Sequence, residues 1–162
     1  MEIVEGTATI ENVDAFVSQL SEIEEAYGAT VQAFDARYIV DREHLAWAVE
    51  LAMRAFDRGE AVARDPGVEI LLYAAGRRQI DQAMEIGVSA GSCPVVAVVV
   101  GDRAGEASTA VAELLEPAGT LGNYDPERVR SFFDVSDREL AATDGDLADI
   151  VRERVTLLVI ER

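Results

Sequence analysis

The chain has 162 residues, with 14 basic side chains against 31 acidic ones and a net charge of −17, and none of the basic residues is a lysine. An apolar content of 49% excludes a disordered polyelectrolyte, so the acids must form a solvated coat on a folded body, of the kind expected in a salty cytoplasm. One cysteine and one histidine exclude an internal disulfide and a zinc site built from those residues, and the length predicts a single domain over 1–162.

Glu2, Glu5 and Glu11 stand where a secretory leader would need a basic and then an apolar stretch. The longest apolar run, near residues 93–100, is far too short for a membrane span. A cytoplasmic protein with no membrane partner is expected.

In chain order, residues 3–10 (IVEGTATI) read as a strand. Val13, Phe16, Val17, Leu20 and Ile23 then recur at three- and four-residue spacing, which predicts an amphipathic helix stopped at Gly28. TVQAF reads as a second strand, with RYIV continuing it or pairing nearby. Asp41 is a good N-cap for a helix whose stripe is Leu45, Val49, Ala52, Met53 and Phe56, and Gly59 ends it. GVEILLYAAG, apolar nearly all round, predicts a buried helix. RQIDQAMEIG predicts a shorter amphipathic one through Ile80, Ala83 and Met84.

Pro94 opens the β-branched run VVAVVV, the pattern of a central strand buried on both faces. A helix over 104–116 follows, closed by Pro117. The stretch 117–144 is turn-rich, with a helical turn begun at Pro126. DLADIVRER predicts the last helix and VTLLVIE a final strand. Strands at both ends and in the middle, with helices between, predict an α/β (α+β) fold: a single mixed β-sheet packed by several helices.

Charge is unevenly distributed. From Arg37 to Arg78 there are seven arginines and seven acids, so all the net negative charge lies outside that segment. A surface spared the acidic coat fits an anionic or apolar partner, and it also fits a segment that simply holds more core.

Candidate chemistry is sparse. No nucleotide cofactor is expected, because neither G-x-G-x-x-G nor a phosphate-binding loop with its lysine is present, and no catalytic or metal-binding set is marked. His44, in the first turn of the helix begun at Asp41, is placed for packing or a partner contact. A small hydrolase or transferase using His44 with an acid is the alternative, although no nucleophile is marked nearby. Cys93 reads as a small buried residue. Acid pairs such as Asp144 and Asp146 are expected by chance in so acidic a chain.

Arg77, Arg78 and Gln79 stand apart. Gly76 ends one helix and Gln79 opens the next, so two guanidinium forks and backbone N–H groups would converge on a corner suited to phosphate or a splayed nucleotide. Equally, the arginines could bind helix carbonyls or acids such as Glu69 and Asp81. Both readings stay open on spacing alone.

The series FDARYIV, HLAWAVELAMRAF and GVEILLYAAGRRQIDQAMEIGV resembles the small regulatory subunit of the KEOPS complex, the family of the PRPK-binding protein TPRKB. Arg78, Gln79 and Ile80 occupy the family's RQI, with Glu69 and Gly76 in the flanking positions. The resemblance is clear over about residues 33–100. It implies a subunit that is not itself an enzyme, within the complex that installs threonylcarbamoyladenosine on tRNA. Its implied partners are the complex's atypical kinase or ATPase subunit, which it binds and regulates, and tRNA, recruited through the single-stranded 3′ CCA end. The RNA-binding set expected on this basis is Arg77, Arg78 and Gln79 with Arg37 and His44. The expected partner-binding set is Ile80, Ala83, Met84 and Val88.

Overall fold

The computed structural model describes residues 1–160, the side chain of Ile160 excepted. Its elements are β1 (Glu2–Ile10), α1 (Val13–Tyr27), β2 (Thr30–Asp35), α2 (Arg42–Asp57), α3 (Pro66–Ala75), α4 (Ile80–Ala83), β3 (Gly91–Val100), α5 (Ala104–Ala112), β4 (Glu116–Pro117), α6 (Pro126–Phe132), α7 (Asp137–Ala142) and α8 (Leu147–Ile160). Short 3-10 turns cover Ala36–Tyr38 and Met84–Ile86.

The four strands form one sheet in the order β2-β3-β1-β4, and every pairing is antiparallel. The α/β class expected from the sequence is what the chain adopts. β3 is one of the two interior strands, with residues 95 to 99 all buried. Because side chains alternate along a strand, Val96 and Val98 join the core made with α2, α3, α6 and α8, while Val95, Ala97 and Val99 join a second core with α1 and α5. A helical layer on each face explains why this antiparallel strand carries an unbroken apolar run instead of alternating with polar residues.

Two expectations are corrected. RYIV does not extend β2: the Asp35 side chain accepts the Arg37 backbone N–H at 3.0 Å and turns the chain into the 3-10 segment. Nor is VTLLVIE a strand, since α8 continues through residue 160, and residue 161 lies outside the described residues. Val151, Val155 and Leu158 are all buried, four and three residues apart, so one helical stripe packs against the core that holds α2 and α3. That burial overrides the strand preference of valine and threonine. Truncating Val155 to Ala should therefore cost about 2 kcal/mol of stability, read from the denaturant midpoint; Thr156→Ala, one residue on but not buried, should cost less than about 0.5 kcal/mol.

Candidate functional site

The corner after α3 is built from its last turn. Gly76 takes a left-handed φ of 61°, its N–H bonds Tyr73 O at 3.1 Å, and Arg77 N–H bonds Leu72 O at 3.1 Å. This double closure ends the helix and needs a residue free of the Cβ penalty at that φ. A Cβ on Gly76 would also come within 3.4 Å of Arg154 O on α8.

The two arginines that follow have different fates. Arg77 turns inward: its guanidinium donates to Phe132 O at the end of α6, stacks 4.9 Å from the Phe132 ring centroid and lies 3.7 Å from Asp134. Arg154 reinforces the same helix end, donating to Phe133 O at 3.3 Å while paired with Glu139 at 2.8 Å. Cations there satisfy the unpaired carbonyls and the negative end of the helix dipole. Arg77 is thus a structural clamp. Arg78 is exposed and has no ion pair among the described residues. Gln79 is exposed too, and its side chain accepts from Gln82 Nε2 at 2.7 Å.

Glu69, named as a possible arginine partner, instead anchors a loop. It is buried in α3, and its carboxylate accepts the backbone N–H groups of Val62 at 3.1 Å and Ala63 at 3.0 Å.

Arg37 is largely committed. Its guanidinium makes a two-pronged contact with the buried Asp35, at 3.0 Å through Nε and 2.8 Å through Nη2. That bond to Asp35 is the main cause holding the arginine in its charged form. The same Asp35 carboxylate turns the chain at residue 37, so the pair stiffens the exit from β2.

His44 cannot lie on an RNA surface, which corrects its place in the expected set: it is 0% exposed. Nε2 lies 2.7 Å from Ala74 O, which can only accept, so Nε2 carries the proton; Nδ1 then accepts Val40 N–H at 3.3 Å. With both nitrogens occupied, no lone pair is left to serve a nucleophile, which removes the geometric basis of the alternative built on His44 and an acid. Burial is the main cause lowering its pKa to about 4, with the Arg152 charge adding to it. The Ala74 carbonyl and Asp41 act the other way.

Of the expected partner-binding residues, Ile80 (44% exposed) and Met84 (59%) present one outward face of α4 and the turn after it. Val88 is half-buried. Ala83 is corrected: it is fully buried with Ile86 in the core and offers a partner nothing.

Spacing missed how selectively the arginines are committed. Among the described residues, Arg42, Arg58, Arg64, Arg78 and Arg138 have no acid within 4.0 Å, and the first four belong to the charge-neutral segment. The neutrality of residues 37–78 was the available signal. No group of three or more histidines, cysteines, aspartates or glutamates among the described residues could hold a metal ion. No described helix is long and apolar enough to cross a membrane.

This part of the chain thus presents an exposed arginine and an exposed aliphatic face, with a histidine buried behind them whose two ring nitrogens are both hydrogen-bonded. The family described as kinase binding protein CGI-121 matches residues 8–158, nearly the whole chain, and the chain belongs to that family. It is the family, containing the KEOPS small subunit, to which the sequence resemblance pointed. No curated protein gives a significant match.

The state of His44 has a measurable signature. Its folded pKa lies below the unfolded value near 6.5, so its contribution to stability is complete above about pH 6.5 and is lost as pH falls toward 4. Between about pH 7.5 and 4.5 the wild-type protein should lose about 2–3 kcal/mol more than His44→Gln, which keeps a donor and an acceptor but does not titrate. Parallel denaturant titrations at the two pH values check this; identical losses would mean that the imidazole is not buried neutral.

Proposed function

We propose that this chain is a non-catalytic adaptor of the KEOPS complex, one that binds and regulates the kinase-like subunit and brings tRNA to it through the 3′ CCA end. Support for the first half is membership of a kinase-binding family together with the exposed Ile80 and Met84. What carries the second half is the division of labour at the α3–α4 corner, where Arg77 holds the fold and Arg78 stays uncommitted beside Gln79.

The chemistry of that corner suits a single-stranded end. In molar salt the screening length is about 3 Å, so a diffuse positive field would add little, and counterion release loses most of its advantage. A planar guanidinium and an amide, which hydrogen-bond at short range to phosphate and to base edges, keep their value there. Arg58 and Arg64, on α2's end and the following loop, are further uncommitted cations on the neutral segment.

Arg78→Glu should weaken tRNA binding by about 1–3 kcal/mol while leaving the melting curve nearly unchanged, because the side chain is exposed and has no ion pair among the described residues. Arg77→Ala should do the reverse, lowering stability first. Destabilisation by Arg78→Glu with tRNA affinity intact would overturn the assignment. For the kinase-like subunit, Ile80→Glu should abolish co-purification, since it puts a charge into an apolar contact; undiminished co-purification would remove this face from the interface.

A further inference from the structure

Beside Met84 and Val88 the surface continues into a groove of ≈ 160 Å³ that runs between α1 and α3 along β2. Val13, Val17, Leu20 and Glu24 line it in succession along one side of α1, so an aliphatic row leads to a carboxylate over about 16 Å of helix. Asp65, at the start of α3, is the second carboxylate in the lining. Val17 (46% exposed), on α1, and Met84, on the turn after α4, are large apolar side chains of the lining left open to solvent.

Both acids have structural roles that leave their charge unbalanced. Glu24 Oε2 accepts Val31 N–H at 3.0 Å, and Asp65 Oδ1 accepts Gly67 N–H at 2.7 Å. Neither has an ion pair among the described residues. Burial is the main cause raising the Glu24 carboxyl above the usual carboxylate range, with the Asp65 charge adding to it and the Val31 bond opposing. Two carboxylates in an aliphatic groove repel phosphate, and among the described residues no aromatic ring lines it for a base to stack on. A cation carried on an aliphatic segment would relieve the repulsion and cover the open side chains.

We propose that this groove docks a short segment of a partner protein, about five residues long if extended, whose leucine-like side chains fill the aliphatic row and whose lysine or arginine meets Glu24 and Asp65. The inference rests on the reading that Met84 and Val88 face a protein, and it adds the chemistry that the partner must bring. RNA is excluded from the groove by the same charges that admit the cation.

The test uses the full chain and four probes: acetyl-Leu-Leu-Leu-Arg-amide, its counterparts ending in Gln and in Glu, and acetyl-Gly-Gly-Gly-Arg-amide. Methyl NMR titrations follow Val17, Val68, Met84 and Val88. The Leu–Arg probe should shift these methyls and bind about fivefold more tightly than the Gln probe, with the Glu and Gly probes weaker still. Glu24→Gln combined with Asp65→Asn keeps both backbone hydrogen bonds, so the melting curve should hold while the preference for Arg over Gln disappears. Equal affinity for the Arg and Gln probes, or no methyl shift with any of them, would overturn the proposal. Adenosine shifting the same methyls where the peptides do not would overturn it too, giving the groove to the RNA end. Ile80→Glu reads the kinase contact without involving either acid, so a groove indifferent to arginine alongside a lost co-purification would sink this inference and leave the adaptor reading intact.

Discussion

The surface of this protein depends on one buried imidazole. His44 joins the Val40 N–H just before α2 to the Ala74 carbonyl in the last turn of α3, and it can do so only while neutral, with its proton on Nε2. Two residues beyond Ala74 the chain reaches Gly76 and reverses, so the bond that fixes the helix end also fixes where Arg77 and Arg78 emerge. Asp41 extends the tie: it caps α2 through His44 N–H at 2.8 Å and pairs with Arg152 of α8. Three helices are thereby set in register behind one corner. The residue whose type most invites a catalytic reading is a structural latch, buried because a satisfied polar group stabilises only when nothing competes for it.

Much of this was legible in the sequence because it is local. The spacing of Val13 to Ile23, the caps at Asp41 and Gly76, and the β-branched run after Pro94 each encode a local preference that the tertiary structure keeps. The last helix was not legible, because VTLLVI favours a strand until packing of Val155 and Leu158 decides otherwise. Adjacent arginines are indistinguishable in sequence, and the carbonyl that claims Arg77 lies 55 residues away. Likewise Ala83 shares a helical face with Ile80 and Met84 on paper, but a helix of four residues is too short for its stripe to stay intact, and the core takes the alanine.

Electrostatics separates fold from function more cleanly than secondary structure does. Outside the neutral segment nearly every described arginine is answered by an acid, often within three or four residues; inside it, four are left unanswered. Leaving a cation unpaired among so many carboxylates is a selective arrangement, and its proposed purpose is short-range contact with an anionic end. At the α1–α3 groove the polarity is inverted, with carboxylates unbalanced in an aliphatic setting. One small subunit would then present two chemically distinct docking sites, one repelling what the other attracts. Such an arrangement would keep the proposed RNA and protein partners from competing for the same surface.

The proposed grip of the corner at Arg78 and Gln79 on a nucleic-acid terminus is one of short-range bonds. It is tested most directly by titrating full-length tRNA and the same tRNA lacking its 3′ CCA, each from about 0.2 to about 2 M salt. Removing CCA should cost about tenfold or more in affinity at every salt concentration, and binding of the intact tRNA should fall only shallowly as salt rises. Equal affinity for the two tRNAs, or a steep common decline with salt, would contradict it.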